Sequence, residues 1–122
     1  MGLWFVAALA LGADIDELLA ANRWHEAEGV ARALHEADPD GAAGWSALGQ
    51  VHSDPRLVEQ ALLVAPCHVH GLVLRGRWAL RDGDAQLALR DADLAVACDG
   101  TDPSAWALKV QALRVAGEWP AA

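Results

Sequence analysis

Shifted against itself by 34 residues, the chain lays Leu11 on Trp45, Leu72 on Trp106, Gly83 on Gly117 and Ala88 on Ala122. Large residues fall on large ones, turn glycines on turn glycines and small residues on small ones. A period of this length marks one supersecondary unit used repeatedly, each copy burying its apolar side against its neighbours. Of the 122 residues 54% are apolar, dominated by Ala and Leu, with six Trp and no Tyr. That composition suits closely packed helices with a few large side chains filling the gaps. Strands would use more β-branched residues. The reading is an all-α chain of repeated helix hairpins.

Turn signals divide it. Asp14 is placed to cap a helix, with Glu17 three positions on, and Ile15, Leu18 and Leu19 give that helix an apolar side up to about Asn22. A second helix from Trp24 to Ala37 carries Trp24, Ala27, Ala31 and Leu34 at helical spacing, and Asp38-Pro39-Asp40-Gly41 breaks it. The next unit is shorter: Trp45 to Leu72 spans 27 residues instead of 34. Seven residues are close to two helical turns, so about one turn lost from each arm keeps both apolar faces inward. Ser53-Asp54-Pro55 supplies a cap and a first-turn proline for an arm running to Ala65. The third unit carries the large Leu72 and the small Gly76, Ala88, Ala92 and Ala95, with Gly83 free to take the left-handed turn conformation between its arms. A fourth opens at Asp102-Pro103 and runs through Trp106 to Ala116.

In residue numbers, an apolar N-terminal segment occupies 1–13 and a repeat domain 14–122, with hairpins at about 14–38, 42–65 and 69–98 and a partial unit at 103–122. The nine residues Leu3 to Leu11 are too few to cross a bilayer as a helix. They read either as the hydrophobic region of a secretory signal, with Leu11-Gly12-Ala13 as a loose cleavage site and no Lys or Arg before it, or as the first helix of repeat one. The cap at Asp14, just past the cleavage site, leans toward export. At the other end Trp106, Ala107, Leu108, Val110, Leu113 and Val115 are too apolar for a terminal helix facing water on two sides. Truncation of a longer array is the expectation, with self-association through this helix as the other remedy.

Trp45-Ser46-Ala47-Leu48-Gly49-Gln50-Val51-His52 resembles the first-helix pattern of the tetratricopeptide repeat, W-x2-L-G-x2-Y, with His where Tyr is usual. The resemblance extends over nearly the whole chain. It implies a right-handed α-solenoid of stacked antiparallel helix hairpins that binds a protein or peptide in a concave groove lined by the first helix of each unit. Carried over residue by residue, the groove positions are Gln50 in the second unit, His70, Val73, Arg77 and Arg81 in the third, and Ser104, Ala107, Gln111 and Arg114 in the fourth. Arg77 and Arg81, four apart, share a helix face. Such a patch suits an acidic segment or a terminal carboxylate, gripped by guanidinium groups, with Gln50 and Gln111 bonding the ligand backbone. The family's carboxylate clamp uses Lys and Asn at several of these positions, and this chain has neither there.

A net charge of −8 and the lack of any basic run disfavour nucleic acid and anionic membrane as partners. No catalytic, cofactor or metal site is expected. Ser46, Ser53, Thr101 and Ser104 stand in no G-x-S-x-G turn, the glycines form no phosphate loop, and His25-Glu26 does not continue to H-E-x-x-H. Asp91 and Asp93, two apart on a helix, do not face each other. Cys67-His68-Val69-His70 groups metal-ligand residue types, but nothing beyond Cys98 completes a set of four. Cys67 and Cys98 fall at the same end of one hairpin, so a bridge is geometrically conceivable and would argue for export. Two free thiols are the expectation, because tetratricopeptide stacks need no covalent staple.

Overall fold

The computed structural model describes residues 14–117, so the apolar segment 1–13 and the end from 118 onward lie outside the described residues. Among the described residues there are seven α-helices and no strand: α1 (Asp14–Ala20), α2 (Trp24–Ala37), α3 (Ala42–His52), α4 (Pro55–Val64), α5 (Val69–Arg81), α6 (Ala85–Cys98) and α7 (Pro103–Ala116). They fall into two compact units that divide between Ala65 and Pro66.

In the first unit, α1 ends where Asn22 takes the left-handed conformation at φ 61° and the Arg23 N–H turns back to the Leu18 carbonyl at 2.8 Å. Asparagine tolerates that conformation better than most residues. Asp54 accepts from the Arg56 N–H at 3.0 Å and Pro55 opens α4, a cap with a residue that has no N–H to leave unsatisfied. The apolar stripes of α1, α2 and α3 meet in one core of Ile15, Ala27, Ala31, Ala47 and Val51, edged by Leu18, Leu19, Val30, Leu34 and Leu48.

Small residues set how closely these helices approach. A Cβ built on Gly44 of α3 would lie 2.5 Å from the His35 Cα on α2, and one on Gly49 would lie 2.7 Å from Val58 Cγ2 on α4. At Gly44 the obstacle is backbone, which cannot rotate aside. Gly44→Ala therefore loses stability by about 2 kcal/mol, because overpacking outweighs the roughly 1 kcal/mol of helix propensity that alanine gains. Gly29, in α2, has open space around its Cβ position. Gly29→Ala is expected to gain about 1 kcal/mol, and urea denaturation of the pair checks both signs.

In the second unit, Gly83 ends α5 at φ 85° and the Asp84 N–H returns to the Ala79 carbonyl at 2.8 Å. Asp84 then caps α6 through the Leu87 N–H at 3.0 Å. Asp102 caps α7 through the N–H groups of Ser104 at 2.8 Å and Ala105 at 3.4 Å, with Pro103 in the first turn. Ala79 and Ala88 share a core with Ala112, edged by Leu80, Leu87 and Leu89, so α5, α6 and α7 close on one another.

The thiol expectation is corrected. Cys67 and Cys98 are joined in a disulfide, their Cα atoms 5.6 Å apart. Cys67 lies just before α5 and Cys98 ends α6, so the bridge also fixes the two helices as an antiparallel hairpin. Hairpin geometry brought both residues to one end within bridging reach, and that outweighed the absence of any need for a staple.

Candidate functional site

The groove candidates of the second unit are placed by three contacts. Gly76 of α5 faces Leu108 of α7, whose Cδ2 would lie 2.4 Å from a Cβ at that position. Arg75 turns to α6, where it grips Asp91 with Nε at 2.8 Å from Oδ2 and Nη2 at 2.7 Å from Oδ1. Lys109 of α7 also turns to α6, its Nζ 3.1 Å from Asp93 Oδ1. Successive helical residues are about 100° apart, so Arg77 lies on the side of Gly76 opposite Arg75, away from α6. His70 and Arg81 are seven and four residues from Arg77 and share that side. On α7, Gln111 lies on the side of Leu108 opposite Lys109, and Arg114 lies further round in the same direction. The helices α5 and α7 therefore present one polar side, turned away from α6.

His70, Arg77, Arg81, Gln111 and Arg114 are all exposed there. Arg77 has no carboxylate partner among the described residues, and Arg81 reaches only its neighbour Asp82, at 4.0 Å between exposed groups. An ion pair that long in water contributes little. Ser104 and Ala107 are exposed on the same side of α7.

One candidate, Val73, differs from the sequence reading, and Gln50 makes a contact that the sequence did not show. Val73 is 3% exposed, a core residue rather than a groove lining. It lies between the side of α5 that meets α7 and the side that carries Arg77, and the spacing alone left both open. Gln50 belongs to α3 in the first unit, where its side-chain amide donates to Asp16 on α1, a residue 34 positions earlier. Its amide serves a contact between repeat-related positions.

The Arg75–Asp91 pair is what sequence reasoning missed. Asp91 is 1% exposed, and its bidentate partner stands on another helix 16 residues away. Only a charged residue in the run of small apolar positions Ala88, Ala92 and Ala95 signalled it.

Among the described serine, cysteine and histidine candidates, Ser46 is buried and donates to the Ala43 carbonyl at 3.1 Å, an internal helix bond. Both cysteines are consumed in the disulfide, which removes their thiolates as ligands. His68 and His70 stand with ring centroids 6.1 Å apart, and burial, then the neighbouring His70, holds His68 below the usual histidine range. Among the described residues no group of three or more His, Cys, Asp and Glu side chains converges as a metal site, and no helix is long and apolar enough to cross a membrane.

Compared with protein-family profiles and with curated proteins, the chain matches neither a family nor a relative.

Proposed function

We propose that the chain is a non-catalytic scaffold of the tetratricopeptide type, a right-handed solenoid of stacked hairpins that binds an acidic peptide segment or terminal carboxylate on the α5–α7 face. The observation that carries the reading is Arg77. In a chain with 17 acidic and nine basic side chains, an exposed arginine on an arginine-rich face has no ion pair among the described residues. Guanidinium groups bind carboxylates through two parallel hydrogen bonds, which gives orientation as well as attraction. Gln111, repeat-equivalent to Arg77, adds an amide able to bond a ligand's backbone, and Arg114 extends the positive edge. The Cys67–Cys98 bridge supports an oxidising compartment as the place of action.

A panel of fluorescein-labelled peptides ending in acidic residues, titrated by anisotropy at physiological salt, tests this. Arg77→Glu is expected to weaken the best binder by about tenfold or more, the size of a lost charge-assisted hydrogen bond plus a new repulsion. Arg90→Glu, an exposed change on α6, is expected to leave affinity within about twofold. Circular dichroism checks that both variants fold. Equal losses from the two substitutions would reduce the effect to net charge, and the proposed face would fall.

A further inference from the structure

A second side of α7 is apolar and not covered by any other described helix, and the chain's own repeat displays what fits it. On α5, the side carrying Leu72, Arg75 and Ala79 meets α6: Arg75 grips Asp91, and Ala79 shares a core with Ala88. Leu72, three residues before Arg75 and seven before Ala79, lies on that side and is 1% exposed. Moved on by 34 residues these positions become Trp106, Lys109 and Leu113. Both helices end in a left-handed glycine, Gly83 at φ 85° and Gly117 at φ 75°, so the registers correspond. Yet Trp106 is 45% exposed and Leu113 half-buried. Leu113 and Trp106 lie on the other side of α7 from Gln111, so this surface is separate from the polar face.

We propose that the Trp106–Lys109–Leu113 side of α7 docks an amphipathic helix of another protein, one resembling α6: small residues in the pattern of Ala88, Ala92 and Ala95, with a carboxylate at the place of Asp91. Charge selects this occupant. The counterpart of Lys109 is Arg75, and α6 answers it with an acid, whereas two copies of α7 would bring lysine to lysine. A second copy's α6 has its matching side already against α5. Lys109, now paired with Asp93 and 5.6 Å from the Trp106 ring centroid, stands at the edge of the docking surface. Such helix-on-helix recognition is read through residues at three- and four-residue spacing.

The test uses the whole oxidised chain, in which the disulfide keeps its own α6 tethered. The probe is a peptide of residues 84–97 carrying Gln86→Glu and Arg90→Lys, two positions exposed in α6, whose side chains are condensed into a lactam bridge that holds it helical. Saturable binding is expected, weakened about tenfold or more by Leu113→Glu in the protein and by Asp91→Lys in the peptide. Thermal melting checks that Leu113→Glu, a change at a half-buried position, leaves the fold intact. Absence of saturable binding, or binding indifferent to both substitutions, overturns the proposal. So does a sedimenting dimer that Leu113→Glu dissolves, which would assign the surface to a second copy.

Discussion

Asp91→Ala is expected to destabilise the second unit by about 3 kcal/mol, and Arg75→Ala by more, toward 5 kcal/mol. The asymmetry follows from burial. Asp91 is 1% exposed, whereas the Arg75 side chain keeps 28% of its surface in water. Removing the carboxylate leaves a guanidinium that water partly solvates. Removing the guanidinium strands a carboxylate where no water reaches, and the two bidentate hydrogen bonds vanish with it. The paired replacement Arg75→Met with Asp91→Leu is expected to cost less than either single change, because apolar groups of similar volume need no partner. Against a total stability of about 5–15 kcal/mol, single losses of this size dominate a denaturation curve. Hydrogen exchange localises the effect: protection should fall in α5 and α6 and hold in α2 and α3. If both single variants lay within about 0.5 kcal/mol of the unmodified chain, the pair would not be what orients α5 on α6.

Reduction of the Cys67–Cys98 bridge is expected to cost roughly 3–4 kcal/mol. The bridge closes a segment with a sequence separation of 31, and the chain entropy returned to the unfolded ensemble on opening a loop of that length has about this size. The measurement is urea denaturation of oxidised and reduced protein side by side, followed by circular dichroism, with Cys98→Ser as a reductant-free check. The midpoint should fall in both cases, with exchange protection lost first at the N-terminal end of α5 and the C-terminal end of α6. Unchanged midpoints would mean that the α5–α6 packing constrains the unfolded chain as well, and the loop-closure account would be contradicted.

Helix placement was legible because it is written locally. The stripe Trp24, Ala27, Ala31 and Leu34 followed by Asp38-Pro39 delimits α2, and Asp54-Pro55 and Asp102-Pro103 open α4 and α7 by capping chemistry that needs no tertiary context. The turn at Gly83 was legible for the same reason. Contacts between helices were not. The bidentate Arg75–Asp91 pair depends on two helices presenting single residues to each other, and no spacing within either helix encodes it. Gly44 reads in sequence as a weak helix residue, yet in the structure it is where α3 touches the backbone of α2. Val73 shows the limit of angular reasoning on one helix. A residue between two faces is settled only by what packs beside it. The disulfide was half legible: the hairpin end was evident, whereas the redox state was not.

The polar face was readable to the extent that it is a property of single helices. Arg77 and Arg81 share a side by spacing alone, whereas their alignment with Gln111 and Arg114 required the contact between Gly76 and Leu108.

The most direct test of the acidic-peptide account is a two-dimensional NMR titration that follows backbone amides and arginine side-chain N–H groups as peptide is added. The account predicts saturable shifts confined to α5 and α7, largest at Arg77, Arg81, Gln111 and Arg114, and abolished by Arg77→Glu. Shifts mapping to α4 or α6, or weak shifts scattered over every basic residue without saturation, would contradict it.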